Sequence, residues 1–487
     1  MPTFLPAFRR VRSPRRAQTP DGTRSPWRSG DFRVLFSASV LSTLGTNVTY
    51  VAVPLVAVLA LDAGPGQVGL LASLSTAAFL LIGLPAGAWV DRMRHRTVLI
   101  TADLLRAALF AWIPVAWWFD VLTFAGLCAV VLLSGAATVL FDVASQSVLP
   151  QLVGPSALIP ANSALVSLMA AGNVAGRGAG GALVQLLGAP LAVVCAAAGH
   201  LGSALRLLRM GRGDGRTTER PAHAATPEPH TAASESHEPA PEPYEPAPEP
   251  YEPTSEPYEA VPEAREAVPE PHAAAGRGPS LRAQIAEGLR HVLGHAELRA
   301  IAVGGAVGNL GTVMVNTMLP VVFTRELGLS AGALGLFWAA GGVGLFLGAR
   351  LARPLADRFG HGRGLVLAGL WLSPAGLLVP LMDRGVGLWA AVAGWVAFAV
   401  RTGTANVLGV SLRQRLTPAD LLGRMNATFR FLLTGSMAVA AALAGAIGAQ
   451  YSPRAALWAG GALICLSCLP TLLSPLRGRR DLPATHL

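Results

Sequence analysis

The feature that most constrains this chain is a series of apolar runs about twenty residues long. A hydrocarbon layer of roughly 30 Å is crossed by about twenty helical residues rising 1.5 Å each. Such runs lie near 34–60, 67–90, 97–118, 121–147, 161–187 and 189–208, then near 300–324, 330–352, 364–382, 386–412, 426–449 and 454–475. Backbone polar groups find no water inside a bilayer, so each run is expected to be a helix that satisfies them internally. Only 14% of the 487 residues are charged and 52% are apolar, against roughly 25% charged in soluble domains. The composition argues against a soluble enzyme and for an all-α membrane protein with twelve transmembrane helices in two sets of six.

The net charge of +10 hides two opposed parts. Residues 228–270 hold twelve acids against the single Arg265, a balance of −11, which leaves +21 elsewhere. Arginine supplies the fixed positive charge, since the chain has no lysine. Arg92, Arg94 and Arg96 lie between spans 2 and 3, Arg350, Arg353, Arg358 and Arg363 between 8 and 9, and Arg413, Arg415 and Arg424 between 10 and 11. The opposite loops carry little: Asp62, Asp120, Arg325 with Glu326, Asp383 with Arg384, and Arg454. The positive-inside bias then places both termini in the cytoplasm of a multi-pass protein of the cell (inner) membrane. Orientation and attraction to anionic membrane lipids account for the basic loops, so they give no case for nucleic acid.

The chain divides into a basic cytoplasmic arm (1–31), a first six-helix half (32–210), a linker (211–280), an interfacial helix with a second half (281–476) and a cytoplasmic tail (477–487). In the linker, PEPYEPA-like units place Tyr244, Tyr251 and Tyr258 seven residues apart. Alternating proline and repelling acids favour a disordered, extended spacer. A docking strip for an unknown partner is the alternative, and it sustains a rival reading of the chain as a non-transporting membrane sensor or scaffold. Leu281, Ile285, Leu289, Val292 and Leu293 form one stripe before span 7, as in an interfacial amphipathic helix. Cys128, Cys195, Cys465 and Cys468 lie in apolar runs, and the CxxC pair has no histidine or acid nearby. No disulfide framework, metal site or cofactor is expected from them. The ten histidines are scattered, and no catalytic constellation is expected.

The two halves echo each other. Gly87-Ala88-Trp89-Val90-Asp91-Arg92-Met93-Arg94-His95-Arg96 after span 2 matches Pro354-Leu355-Ala356-Asp357-Arg358-Phe359-Gly360-His361-Gly362-Arg363 after span 8. Leu158-Ile159-Pro160-Ala161-Asn162 before span 5 is matched by Leu422-Gly423-Arg424-Met425-Asn426 before span 11. Parallel repeats of this kind describe a transporter architecture with its substrate site at the midplane between halves. With the GxxxDRxxxR loop at Gly87, Asp91, Arg92 and Arg96, the chain resembles the major facilitator superfamily. Asp31-Phe32-Arg33-Val34-Leu35-Phe36, Glu287-Gly288-Leu289-Arg290 and Arg415-Leu416-Thr417-Pro418 narrow the resemblance to its enterobactin-exporter and macrolide-efflux branch.

The resemblance implies a secondary active transporter that exports an amphipathic small molecule (an antibiotic, siderophore or other secondary metabolite) by proton antiport. Facilitated diffusion or uptake is the alternative, because no sequence feature fixes direction. It also implies that Gly87, Asp91, Arg92 and Arg96, with Asp357 and Arg358, latch the cytoplasmic side. Gly172, Gly176, Gly180 and Gly181 in span 5 resemble the glycine-rich motif of the family's antiporters, with Arg177 where that motif has proline. Such glycines let helices pack closely, and loss of the proline predicts a straighter helix. Charges at bilayer depth are functional candidates by default. Asp103 with Arg106 reads as an i,i+3 pair. Asp142 is the stronger proton carrier, because burial and a neighbouring arginine act on a carboxyl in opposite senses and so let substrate and proton compete. Thr46, Asn47 and Tyr50 in span 1, Asn309 and Asn316 in span 7, and Arg401 and Asn406 in span 10 are the expected cavity residues. Arg177 and Arg401 would favour acidic or hydrogen-bond-rich substrates. Relatives often carry an acid where this chain has Thr46, so one coupling group of the family is missing.

Overall fold

The computed structural model describes residues 25–153, 157–211, 281–418 and 421–479. Residues 1–24, the linker from 212 to 280 and the chain beyond 479 lie outside it, and with them most of the expected arm, spacer and tail. The first half comprises α1 (Gly30–Leu55), α2 (Pro65–Asp91), α3 (His95–Trp118), α4 (Phe124–Val153), α5 (Leu158–Leu187) and α6 (Ala189–Leu207). A short α7 (Leu281–Gly294) precedes α8 (Ala296–Val321), α9 (Ala331–Phe359), α10 (His361–Leu372), α11 (Val386–Arg415), α12 (Leu422–Gln450), α13 (Pro453–Leu466) and α14 (Leu469–Leu472). Among the described residues, eleven segments are long and apolar enough to cross a membrane. α5, at 30 residues, supplies the length for a twelfth crossing and runs unbroken through Arg177.

Two spans differ from continuous helices for a local reason. Pro374 follows Ser373 at the end of α10, and the rest of that span continues as a 3-10 helix, Pro374–Leu381. In the last span α13 stops at Leu466 and α14 restarts with Pro470 near its beginning, because a proline nitrogen cannot donate to the preceding turn. α7 packs on the second half. Its Val292 is fully buried in a cluster with Met425 and Phe429, and Glu287 pairs with Arg424 of α12 at 2.8 Å.

The duplication is visible in detail, at an offset of 266 residues. Pro54 in α1 is followed by a π turn at Val56–Ala60, and Pro320 in α8 by one at Val322–Glu326. Asp31 Oδ1 accepts from Gly211 N at 2.9 Å and Glu297 Oε1 from Arg479 Nε at 2.7 Å, so each half ties its first crossing helix to the chain after its last.

The halves meet at one end of the bundle and part at the other. At the end carrying the α1–α2 connection, one core cluster draws Val51, Leu55 and Val68 from the first half together with Met318, Phe323 and Leu334 from the second. At the opposite end the clusters are separate: Phe32, Leu99 and Leu149 in one half, Ala352, Leu408 and Leu412 in the other. Two glycine contacts close the first end. Gly181 of α5 lies so close to Gly335 of α9 that an added Cβ would meet Gly335 Cα at 2.7 Å, and Gly445 of α12 faces Gly69 Cα of α2 at 2.8 Å in the same sense. Gly69 and Gly335 occupy equivalent places in the repeat, so these are one contact made twice about the pseudo-two-fold. Arg325 Nη2 adds an ion pair to Asp62 Oδ1 at 2.5 Å and donates to Val58 O at 3.1 Å.

Candidate functional site

A cavity of about 510 Å³ lies between the halves, within the range that holds small organic ligands. Most of its wall comes from α8, α9, α11 and α12 of the second half, with Tyr50 of α1 and Asn173 and Arg177 of α5 contributed by the first half. Of the cavity residues expected from sequence, Tyr50, Asn309, Asn316, Arg401 and Asn406 line it, and Arg177 joins them. Thr46 and Asn47 do not. The Thr46 hydroxyl is spent on Ser42 O at 3.0 Å, and Asn47 is buried against α5, its Nδ2 donating to Thr43 O at 2.9 Å. The difference lies in what each meets, not in helix period, since Asn47 and Tyr50 sit only about 60° apart around α1: α5 packs against Asn47 at Gly176, while Tyr50 reaches past it into the cavity.

A chain of contacts crosses the site. The Arg177 guanidinium lies 4.2 Å over the Tyr50 ring. Tyr50 meets Trp338 edge to face at 5.3 Å, and Trp338 Nε1 donates to Asn316 Oδ1 at 2.7 Å. At the cavity, Tyr50 of the first half thus reaches α9 through Trp338 and, by way of Asn316, α8. The lining aromatics Trp338, Trp395, Phe398 and Phe429 are not singled out by sequence reading, which takes Arg413 only as a cytoplasmic loop arginine. Buried aromatics on long apolar helices look like core, and only the glycines opposite them, such as Gly341 beside Trp395, hint at a wall.

The glycine motif of α5 divides its work. A Cβ at Gly172 would meet Thr43 Cγ2 at 2.5 Å and one at Gly176 would meet Asn47 Cβ at 2.6 Å, so these positions admit α1. Gly180 borders Val48 and Val51, while Gly181 admits α9 of the other half. The close approach aims Arg177, between Gly176 and Gly178, across Tyr50 into the cavity.

Neither expected proton carrier lines the cavity. Asp103 is fully buried behind α1. Its Oδ1 pairs with Arg106 Nη2, accepts from Ser42 Oγ at 3.3 Å and lies 3.3 Å from His200 Nδ1. Arg106 is 2% exposed and stacks 4.6 Å over Phe141. The expected i,i+3 pair is therefore present as the centre of a cluster joining α1, α3 and α6. Asp142, next to Phe141 on α4, is exposed. No sequence pattern ties His200 to this cluster, because its partner Asp103 lies about a hundred residues away.

The expected latch residues are apart in this conformation. Asp91 and Arg92 are exposed, and Gly87 has open space on its Cβ side. Arg96 donates to Leu208 O at 2.7 Å, within its own half. Asp357 lies 4.0 Å from Arg353 of its own helix, and Arg358 lies over Phe359.

A family model described as Major Facilitator Superfamily matches residues 35–353 and 301–485. A curated relative, the Enterobactin exporter EntS of Salmonella choleraesuis (strain SC-B67), is 31% identical over 161 residues, which cover 32% of this chain and 37% of that protein. The match therefore spans little more than a third of the relative's length. The solved structure of a bacterial homologue of the iron transporter ferroportin in an inward-facing state superimposes with a TM-score of 0.64 at 14% identity, over 92% of this chain and 99% of that one. The nucleoside transporter NupG gives a TM-score of 0.65 at 9% identity, over 91% and 98%. Identities this low establish a shared fold.

Proposed function

Because the chain belongs to the Major Facilitator Superfamily, we propose that it is a secondary active transporter exporting an amphipathic small molecule, such as an antibiotic, siderophore or other secondary metabolite, by proton antiport. The carrying observation is the central cavity with the halves sealed at one end only: a single core cluster and the Asp62–Arg325 pair at that end, separate clusters at the other. The arginine-rich loops put the open end in the cytoplasm, which makes this an inward-open state able to load from inside the cell. The partial likeness to an enterobactin exporter supports the outward direction.

In this reading Gly87, Asp91, Arg92 and Arg96, with Asp357 and Arg358, engage when the cytoplasmic end shuts and the glycine contacts at the other end release. Substrate meets Tyr50, Arg177, Asn309, Asn316, Arg401 and Asn406. Asp142 takes the coupling proton; Asp103, committed to Arg106, Ser42 and His200, is the second candidate and would act through α1. The linker and arm are cytoplasmic accessories. The test is energised inverted vesicles challenged with antibiotics and siderophores while a pH-sensitive dye reports the gradient. A compound that accumulates and collapses the gradient with the native protein, and not with Asp142→Asn, is the expected result. Accumulation that leaves the gradient untouched overturns the antiport and leaves facilitated transport.

A further inference from the structure

We infer that the cavity is a site for an aromatic organic anion, with Arg401 and Arg177 as the partners of its acid group and the Tyr50–Trp338 corner as the seat of its ring. The inference rests on the export reading only for direction, since binding is a property of the cavity itself. Three guanidinium groups line the cavity, those of Arg177, Arg401 and Arg413, and no Asp or Glu lines it. None of the three has a carboxylate partner among the described residues, whereas Arg106, Arg325, Arg424, Arg454 and Arg479 each have one. The cavity arginines lie instead against rings: Arg177 4.2 Å from Tyr50, Arg413 4.9 Å from Phe429 and Arg401 5.9 Å from Phe398.

Unpaired charge at bilayer depth, as at Arg177 and Arg401, is costly, and a ring face offsets only part of it; Arg413, in the last turn of α11 toward the cytoplasmic end, adds a third positive charge. Hydrogen-bond accounting points the same way. Three side-chain atoms of the lining are buried without a partner: Arg177 Nε, Arg413 Nε and Trp395 Nε1. All three are N–H donors. A ligand that completes the site must bring acceptors and negative charge, which a carboxylate does through two oxygens that accept only. A cation would meet three like charges without a carboxylate to offset them. The flat body of the ligand follows from the wall: Tyr50, Trp338, Trp395 and Phe398 face one space, and aromatic groups prefer such partners in edge or offset contact. Arg177 has a further part, because an anion that draws it from Tyr50 loosens the aromatic pair through which the first half touches Trp338.

The test uses the full chain in lipid nanodiscs and three probes of one shape, 1-naphthoate, 1-naphthamide and 1-naphthylmethylammonium, with binding read by quenching of tryptophan fluorescence. Naphthoate should bind at least tenfold tighter than the amide, and the ammonium weakest. Arg401→Gln and Arg177→Gln should each weaken naphthoate about tenfold and leave the amide unchanged. Arg401→Lys, which keeps the charge, should recover part of the loss and guards against misfolding. Equal binding of the amide, tighter binding of the ammonium, or naphthoate binding indifferent to both Gln variants would overturn the inference. Inverted vesicles separate this from the export reading: if only cations accumulate, the anion site falls and export stands. Naphthoate that binds through Arg401 yet never accumulates supports the site and removes export.

Discussion

The glycine contact between the halves sets the conformational balance, and Gly335→Ala tests it. The new Cβ would lie 2.7 Å from Gly181 Cα and 2.9 Å from Arg177 O, both backbone atoms that no rotamer change can move. Carbon atoms pack at about 3.5–4.0 Å, so α9 must retreat from α5 by about 1 Å. Overpacking of this kind costs about 1–3 kcal/mol, and the cost falls only on the state in which this end is shut. At about 1.4 kcal/mol per tenfold, the population should shift roughly 5- to 150-fold toward opening there. Gly445→Ala, 2.8 Å from Gly69 Cα, is the equivalent change about the pseudo-two-fold and should act in the same sense. Spin labels at Phe119 and Trp389, exposed on opposite halves at this end, report the opening as a longer interlabel distance by double electron–electron resonance. Gly435→Ala, with nothing within 4 Å of its Cβ and no part in either closure, is the control. An unchanged distance distribution in both interface variants, or an equal shift in the control, refutes the reasoning.

Other consequences follow from single contacts. Asp62→Asn removes the ion pair to Arg325; because Asp62 is 96% exposed, the loss should be only about 0.2–1 kcal/mol, a one- to fivefold shift by the same labels that disappears at high salt. Asp103→Asn strips a buried Arg106 of its counter-charge, at a cost of roughly 3–5 kcal/mol; a lowered thermal midpoint in detergent is expected, largely recovered in Asp103→Leu with Arg106→Met. A wild-type midpoint for Asp103→Asn would mean that the cluster does not hold α3 to α1 and α6. Asp91→Asn should reduce vesicle transport with folded protein still in the membrane, and normal transport by that variant would remove it from the latch.

Much of the architecture was legible because the bilayer leaves few solutions. Apolar run length gave the helices, and the echo of Asp91-Arg92 at Asp357-Arg358 gave the duplication before any contact was known. Proline positions refined the picture only in three dimensions: Pro54 and Pro320 precede π turns in otherwise continuous helices, while Pro374 and Pro470 accompany real breaks. The site was half legible. Polar residues inside apolar helices drew attention to Tyr50, Asn309, Asn316, Arg401 and Asn406, and rarity at bilayer depth singled out Arg177. Facing was harder, since Asn47 and Tyr50 share roughly one face of α1, yet α5 covers Asn47 while Tyr50 reaches the cavity. The aromatic wall and the place of His200 beside Asp103 depend on contacts between helices far apart in sequence, which a single chain read alone does not display.

The central claim is that one cavity is reached alternately from two ends, and a reversible lock at the closed end tests it most directly. A Cβ at Gly66 would lie 3.4 Å from Ala449 Cβ, close to the separation of about 3.5–4.5 Å that a disulfide spans. Gly66→Cys with Ala449→Cys, in a background lacking Cys128, Cys195, Cys465 and Cys468, can therefore be oxidised in vesicles and reduced again. The account expects transport to stop on oxidation, with binding from the open end retained, and to return on reduction; transport at the unlocked rate through the oxidised protein would contradict it.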